Sequence, residues 1–191
     1  MKRIFTAIDI SEETRLDSAN YVEKLKSEFS GLGVGWEKTE KLHLTLKFLG
    51  DIDDIQLGNL SEAVESTAKQ ISHLEIKIAE TGAFPSKRNA RVLWLGVQDE
   101  RGSLLKLNEI LDDECAKRGF AKETRAFKAH LTIARLREPQ KSVELIEKHL
   151  NQNFDSEKFT VSQITIYESQ LQKSGSIYSV ISKHKLKEKA G

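Results

Sequence analysis

Apolar and polar positions along the chain switch repeatedly between the two-residue period of a strand and the three-to-four-residue period of a helix. Ile4, Phe5, Ala7, Ile8 and Ile10 form a short apolar run that predicts a buried first strand, ended by Ser11, a good helix N-cap with Glu12 and Glu13 behind it. A helix is expected to about Ser30, with Leu16, Ala19, Tyr21 or Val22, and Leu25 on its apolar side, before Gly31, Gly33 and Gly35 break the pattern. Val34-Gly35-Trp36 opens a new extended piece, and Leu42 to Leu49 reads as a strand closed by Gly50-Asp51. A second helix follows from about Asp54, capped by Asp53 or Asp54, with Ile55, Leu60, Val64, Ala68 and Ile71 on one side.

Alternation returns at Leu74, Ile76 and Ile78. After a Gly82-to-Asn89 loop containing Pro85 comes Arg91 to Val97, rich in strand formers, so these two segments are expected to pair as a hairpin. Leu104, Leu107, Leu111 and Cys115 predict a third helix from about Gly102 to Arg118, with Gly119 in the usual place past a helix end. A strand at His130 follows, then a short helix carrying Val143, Ile146 and Leu150. Val161 to Tyr167 and Ile177 to Ile181 close the fold as strands, and the tail through Gly191 is expected to fray at its end.

Helices and strands thus alternate loosely in both halves, with no polar linker between them. The expectation is one α+β domain over residues 1–191, bilobal by internal duplication, with two antiparallel or mixed sheets facing a central cleft and helices outside. Lys and Arg number 30 against 29 Asp and Glu, a net charge of +1, so any nucleic-acid contact must be local rather than driven by a global basic field. A single cysteine, Cys115, excludes an internal disulfide framework and fits a reducing compartment. No run of about 18 apolar residues and no signal-peptide stretch is present, which points to a cytoplasmic protein without a membrane partner.

The halves share a chemical feature. His43-Leu44-Thr45-Leu46 and His130-Leu131-Thr132-Ile133 are near-copies set 87 residues apart, from 43 to 130. In a strand, each copy puts an imidazole and a hydroxyl on one face and two aliphatics on the other. A lone strand histidine is more often structural than catalytic, and His73, His149 and His184, which lack this context, keep that assignment. Two histidines in matched contexts among five are different. No HxH, HExxH or cysteine pair accompanies them to complete a metal site, and no GxSxG elbow, Walker loop or GxGxxG sequence offers rival chemistry or a cofactor. Cys115 falls mid-helix on an apolar face, as a small core residue would. In-line displacement at a phosphodiester needs a base for the attacking oxygen, an acid for the leaving one, and neutral donors for the non-bridging oxygens. Two imidazoles and two threonine hydroxyls supply that set.

These residues, and the segments His43 to Gly50 and His130 to Arg135 around them, resemble the two-histidine phosphoesterase superfamily, within it the RNA 2′,3′-cyclic phosphodiesterases also described as 2′-5′ RNA ligases. The likeness spans the chain, through Arg3 to Ile8, Trp36, Lys41-Leu42, Phe84-Pro85, Arg91 to Val97, Tyr167 to Leu171 and Gly175 to Tyr178. It departs before the second motif, where the family often has proline and this chain has Ala129. The resemblance implies hydrolysis of RNA 2′,3′-cyclic phosphate ends to 2′-phosphates without cofactor. His43 would be the proton donor to the leaving 3′ oxygen, and His130 the base that activates water. The substrates would be RNA 3′ ends, tRNA fragments among them, handled by a monomer. The alternatives are 2′-5′ ligation by the reverse reaction and a module that holds a nucleotide phosphate without turnover.

For substrate binding, Lys47 shares the parity of His43 and is expected to face the cleft. Arg135, at odd offset from His130, needs a bulge to turn inward. Lys128 shares the parity of His130, though a solvated strand-end lysine is the commoner case. Trp36, Phe84, Trp94 and Tyr167 are candidates to stack a base, with core packing the commoner use of such aromatics.

Overall fold

A computed structural model describes residues 1–172 and 175–188, so the expected frayed end at Lys189 to Gly191 lies outside the described residues. β1 (Lys2–Asp9) leads into α1 (Glu12–Glu28), where the Ser11 hydroxyl accepts from the Thr14 N–H at 3.1 Å. After β2 (Val34–Trp36), β3 (His43–Ile52) carries the first motif, and α2 (Asp54–Ala68) begins with a capping box between Asp53 and Gln56. β4 (Leu74–Phe84) and β5 (Val92–Gln98) form the expected hairpin, followed by α3 (Ser103–Lys117), which ends before Gly119 at φ +88°. β6 (His130–Leu136) carries the second motif. Then come α4 (Val143–Leu150), the short β7 (Phe159–Val161), and the long hairpin of β8 (Gln163–Gln172) and β9 (Gly175–Lys185).

The strands run in the order β7-β4-β5-β6-β3-β1-β8-β9, with β2 on β6, and every pairing among them is antiparallel. The strands form one curled nine-stranded sheet, whose two halves meet where the motif strands touch, in a single register pair, Leu44 with Leu131. So thin a seam lets each half curl separately while holding the two tetrapeptides side by side. One face of the strands, through Ile4, Ile8, Leu44, Leu95, Leu131 and Ile133, packs with Leu60, Val64, Leu104, Leu107 and Leu111 of α2 and α3 in a single apolar cluster. Each such fully buried aliphatic contributes about 1.5–3 kcal/mol over leaving it in water.

Two helical faces differ from expectation. α1 buries Thr14, Ser18, Val22 and Leu25, and leaves Leu16 55% exposed; small polar side chains let the helix sit close to its neighbours. On α2 the buried side begins only at Leu60, and Ile55 in the first turn is 79% exposed.

Candidate active site

The two motif strands repeat each other down to the hydrogen bonds of their rings. His43 Nδ1 donates to the carbonyl of Lys41 at 2.6 Å, and His130 Nδ1 donates to the carbonyl of Lys128 at 2.7 Å. A carbonyl oxygen only accepts, so each ring carries its proton on Nδ1 and, when neutral, presents a bare Nε2. The repeat is therefore longer than the tetrapeptide: a lysine stands two residues before each histidine. Arg15 on α1 holds the approach to the first motif, donating to the carbonyls of Thr39 and Leu42 at 2.8 and 3.1 Å. His43 Nε2 accepts from the Thr45 hydroxyl at 3.1 Å.

His43, Thr45, His130 and Thr132 all line one cleft of about 400 Å³, together with Glu37, Lys41, Phe84, Lys128, Arg135 and Tyr178. Phe5 stacks on His43 at 4.9 Å and on Tyr167 at 5.3 Å, with Tyr178 edge-on to both Phe5 and His43. Phe84 meets His130 edge-on at 4.9 Å, and Trp94 lies beyond it. A Cβ on Gly82 would fall 2.0 Å from the Trp94 ring, so this cleft wall needs glycine there. Lys128 lies 4.2 Å over Trp94, whereas Lys41 donates to the Ser176 carbonyl near Tyr178.

Burial holds both imidazoles below their ordinary value. At His43 the carbonyl of Lys41 and the charge of Asp9 oppose that shift, while Arg15 and His130 add to it. At His130 the carbonyl of Lys128 opposes it, and Arg135 and Lys128 add to it. The cleft by itself therefore favours two neutral rings.

Strand parity misleads beyond the threonines. Against β1, Ala7 faces Thr45 but Thr6 faces Lys47; against β5, Trp94 faces Thr132 but Leu93 faces Ala134. One residue is skipped in each motif strand, Leu46 and Ile133, and each bulge is held: Leu46 O accepts from Asn108 Nδ2 at 2.8 Å, and Ile133 O from the Glu37 N–H at 2.9 Å. The bulge turns Arg135 to the cleft side, where it pairs with Glu37 at 3.2 Å. Its counterpart in the first strand is Phe48, which packs 5.5 Å from Phe5.

The corresponding bulge in β3 takes Lys47 off the face of Thr45, although it is among the residues lining the cleft. Only 7% exposed, it reaches the cleft rim but spends its ammonium on Asp112 of α3 and on the carbonyl of Ala121 at 2.9 Å. Removing either charge leaves the other buried without its partner, which costs about 3–5 kcal/mol. Lys47→Met and Asp112→Asn are thus expected to lower the melting temperature alike in thermal unfolding. A loss of substrate affinity in Lys47→Met with unchanged melting would overturn this assignment.

His149, His184 and the thiol do other work. His149 is fully buried, its Nε2 donating to the carbonyls of Gly82 and Trp94 while Nδ1 accepts from the Tyr21 hydroxyl. His184 bonds Ser182. Cys115 is buried, and desolvation pushes its thiol up to about 11, so it is a core residue rather than a nucleophile. Among the described residues no group of three His, Cys, Asp or Glu is arranged to hold a metal ion, and no helix is long and apolar enough to cross a membrane.

The sequence model of the LigT-like phosphoesterase family matches this chain twice, over residues 8–94 and 95–178, so each match takes in one motif. A Thermotoga maritima protein named RNA 2′,3′-cyclic phosphodiesterase is 34% identical over 94% of this chain and 92% of its own length. A protein of the same name from Methanocaldococcus jannaschii is 32% identical over 94% and 98%. In structure, a Thermus thermophilus protein superposes with a TM-score of 0.83 at 23% identity, covering 98% of this chain and all of its own. Escherichia coli LigT complexed with 3′-AMP gives 0.77 at 21%, covering 98% and 99%, and these likenesses carry the fold.

Proposed function

The chain belongs to the LigT-like phosphoesterase family, and from that premise we propose that it is an enzyme that opens RNA 2′,3′-cyclic phosphate ends to 2′-phosphates by two-histidine acid and base catalysis. The observation that carries this is the matched pair of imidazoles in one cleft, each fixed through Nδ1 so that Nε2 is left for chemistry. His130 Nε2 takes a proton from water as its oxygen bonds to phosphorus. The P–O3′ bond breaks, and His43, protonated at the outset, gives its Nε2 proton to the leaving O3′. Thr45 and Thr132 hold the non-bridging oxygens, and Arg135 meets the substrate's charge. The phosphodiester anion makes up for burial at His43, since a negative charge beside an imidazole favours its protonated form. No step as written uses a metal, and an RNA substrate together with a lone buried thiol fits a cytoplasmic setting.

The test is a panel of 2′,3′-cyclic phosphates from mononucleotide to oligonucleotide, with the position of the product phosphate read by NMR and with chelator present and absent. A 2′-phosphate with a free 3′-hydroxyl, formed at the same rate in chelator, is expected. A 3′-phosphate product would reverse the regiochemistry. Joined product from RNA halves bearing cyclic-phosphate and 5′-hydroxyl ends would favour the ligation reaction, and binding without turnover would sink the catalytic proposal.

A further inference from the structure

Charge around the cleft is lopsided. Residues 81–98 contain Lys87, Arg88 and Arg91 and no carboxylate, and residues 124–137 contain Arg125, Lys128, Arg135 and Arg137 and none either, in a chain whose net charge is +1. The strands of the first motif show no such bias: β1 holds Lys2 and Arg3 with Asp9, and β3 holds Lys47 with Asp51.

The two basic segments are neighbours in space. β5 pairs with β6 so that Val92 faces Arg135, the Leu136 N–H donates to the Arg91 carbonyl at 2.9 Å, and the Arg91 N–H donates to the Phe84 carbonyl at 2.6 Å. Phe84, Val92 and Arg135 line the cleft. Arg91 and Arg137 are each one residue beyond those strands' ends near the cleft, and Arg88 sits in the turn that joins β4 to β5. All three guanidinium side chains are on exposed residues, and among the described residues none makes an ion pair. Scattered surface arginines are ordinarily solvated and paired with nearby acids. Here the three belong to one end of the β5–β6 pair, and the acid next to Arg137 in sequence, Glu138, is taken by Lys141 at 2.7 Å.

The reaction centre engages one phosphate, whereas RNA brings a further negative charge with every nucleotide upstream of its 3′ end. We propose that Arg88, Arg91 and Arg137 form a second binding site for the phosphodiester backbone 5′ of the cyclic phosphate, so that the enzyme takes oligonucleotide ends in preference to free cyclic mononucleotides. This rests on the hydrolytic function proposed above. Such a site reads no bases: it is sequence-independent, and weakens with salt as counterions compete for the same phosphates. Lys87 and Arg88 also line a separate groove of about 610 Å³ against α4.

The test compares the wild type with the triple variant Arg88→Gln, Arg91→Gln, Arg137→Gln, whose changes are all on the surface. One arm measures binding of a fluorescent, 3′-phosphorylated RNA oligonucleotide by anisotropy across a salt series. The other measures kcat/KM on a 2′,3′-cyclic mononucleotide and on a cyclic-ended oligonucleotide. The variant is expected to bind the oligonucleotide more weakly, with a salt slope shallower by about 0.7 for each phosphate it no longer neutralises, or about 2 in all. It should lose kcat/KM on the oligonucleotide and keep it on the mononucleotide. Unchanged oligonucleotide binding and salt slope would overturn the proposal, as would an equal loss on both substrates. If the wild type turns over neither substrate, the hydrolytic function fails, and the anisotropy arm still decides the second binding site by itself.

Discussion

Replacing either His43 or His130 with alanine is expected to lower kcat/KM on a 2′,3′-cyclic phosphate by roughly 10²–10⁴-fold, the contribution of one positioned acid or base. The two losses should not multiply in the double variant, because acid and base act in one displacement and the second is of little use once the first is gone. Single-turnover rates on a cyclic mononucleotide measure this without interference from product release. Both single variants retaining full rate would remove the histidines from the chemistry.

The pH dependence of the wild type adds a signed prediction. Burial lowers both imidazoles, so in the free enzyme the one that must be protonated loses its proton below the ordinary value of about 6.5. The alkaline limb of kcat/KM is therefore expected on the acid side of neutrality. In the complex, phosphate raises the same group, and the alkaline limb of kcat should lie at higher pH. Stability moves in a related way. His43, His130 and His149 are all depressed in the fold, so over the window just below 6.5 the unfolded chain binds more protons. The stability they contribute is present above the unfolded value and is lost as pH falls through their folded values.

Most of this arrangement is legible in the sequence. Caps at Ser11 and Asp53, the hairpin of β4 and β5, the helix ending before Gly119 and the matched tetrapeptides all follow from local rules that the packing left intact. A bulge was the stated condition for Arg135 in the second motif strand, and what escaped was the matching exchange of faces in the first. A period of two assumes that no residue is skipped, and both strands skip one to bring the next side chain across. The traces in sequence are faint: Leu46-Lys47 and Ile133-Ala134 are consecutive buried positions, and the groups that hold the bulges, Asn108 and the Glu37 amide, are distant in the chain. Alternation alone could not foresee that Lys47 would go to Asp112 and Arg135 to the cleft. The aromatic wall escaped for a similar reason. Phe5 and Tyr178 read as core and closing strand, and only the pairing of β1 with both β3 and β8 brings Phe5 against His43 and Tyr167. Lys41 and Lys128, by contrast, were there to be found as a repeated residue two places before each histidine.

The threonines are the second large effect, and they are expected to differ from each other. Thr45→Val and Thr132→Val keep the shape of the side chain and remove one hydroxyl donor, which should lower kcat by roughly 10²–10³-fold, or about 2.7–4 kcal/mol. Thr45 also donates to His43 Nε2, an interaction available only while that ring is neutral. When His43 takes up its proton, Nε2 becomes a donor, and the Thr45 hydrogen is freed to turn to a phosphoryl oxygen. Protonation of the acid and arming of its neighbouring donor are thus one event in the first half of the cleft. The Thr45 oxygen can also accept from protonated Nε2, and that charge-assisted bond is the stronger of the two, so Thr45→Val should move the alkaline limb of kcat/KM to lower pH even as the rate falls. Thr132 makes no such bond to His130 among the described residues, and Thr132→Val should lower the rate with the limb in place. Serine at either position should restore most of the rate, since the hydroxyl is what acts. Equal rates for the valine and serine variants would take the hydroxyls out of the transition state, and an unmoved limb in Thr45→Val would break the proposed link between Thr45 and the acid.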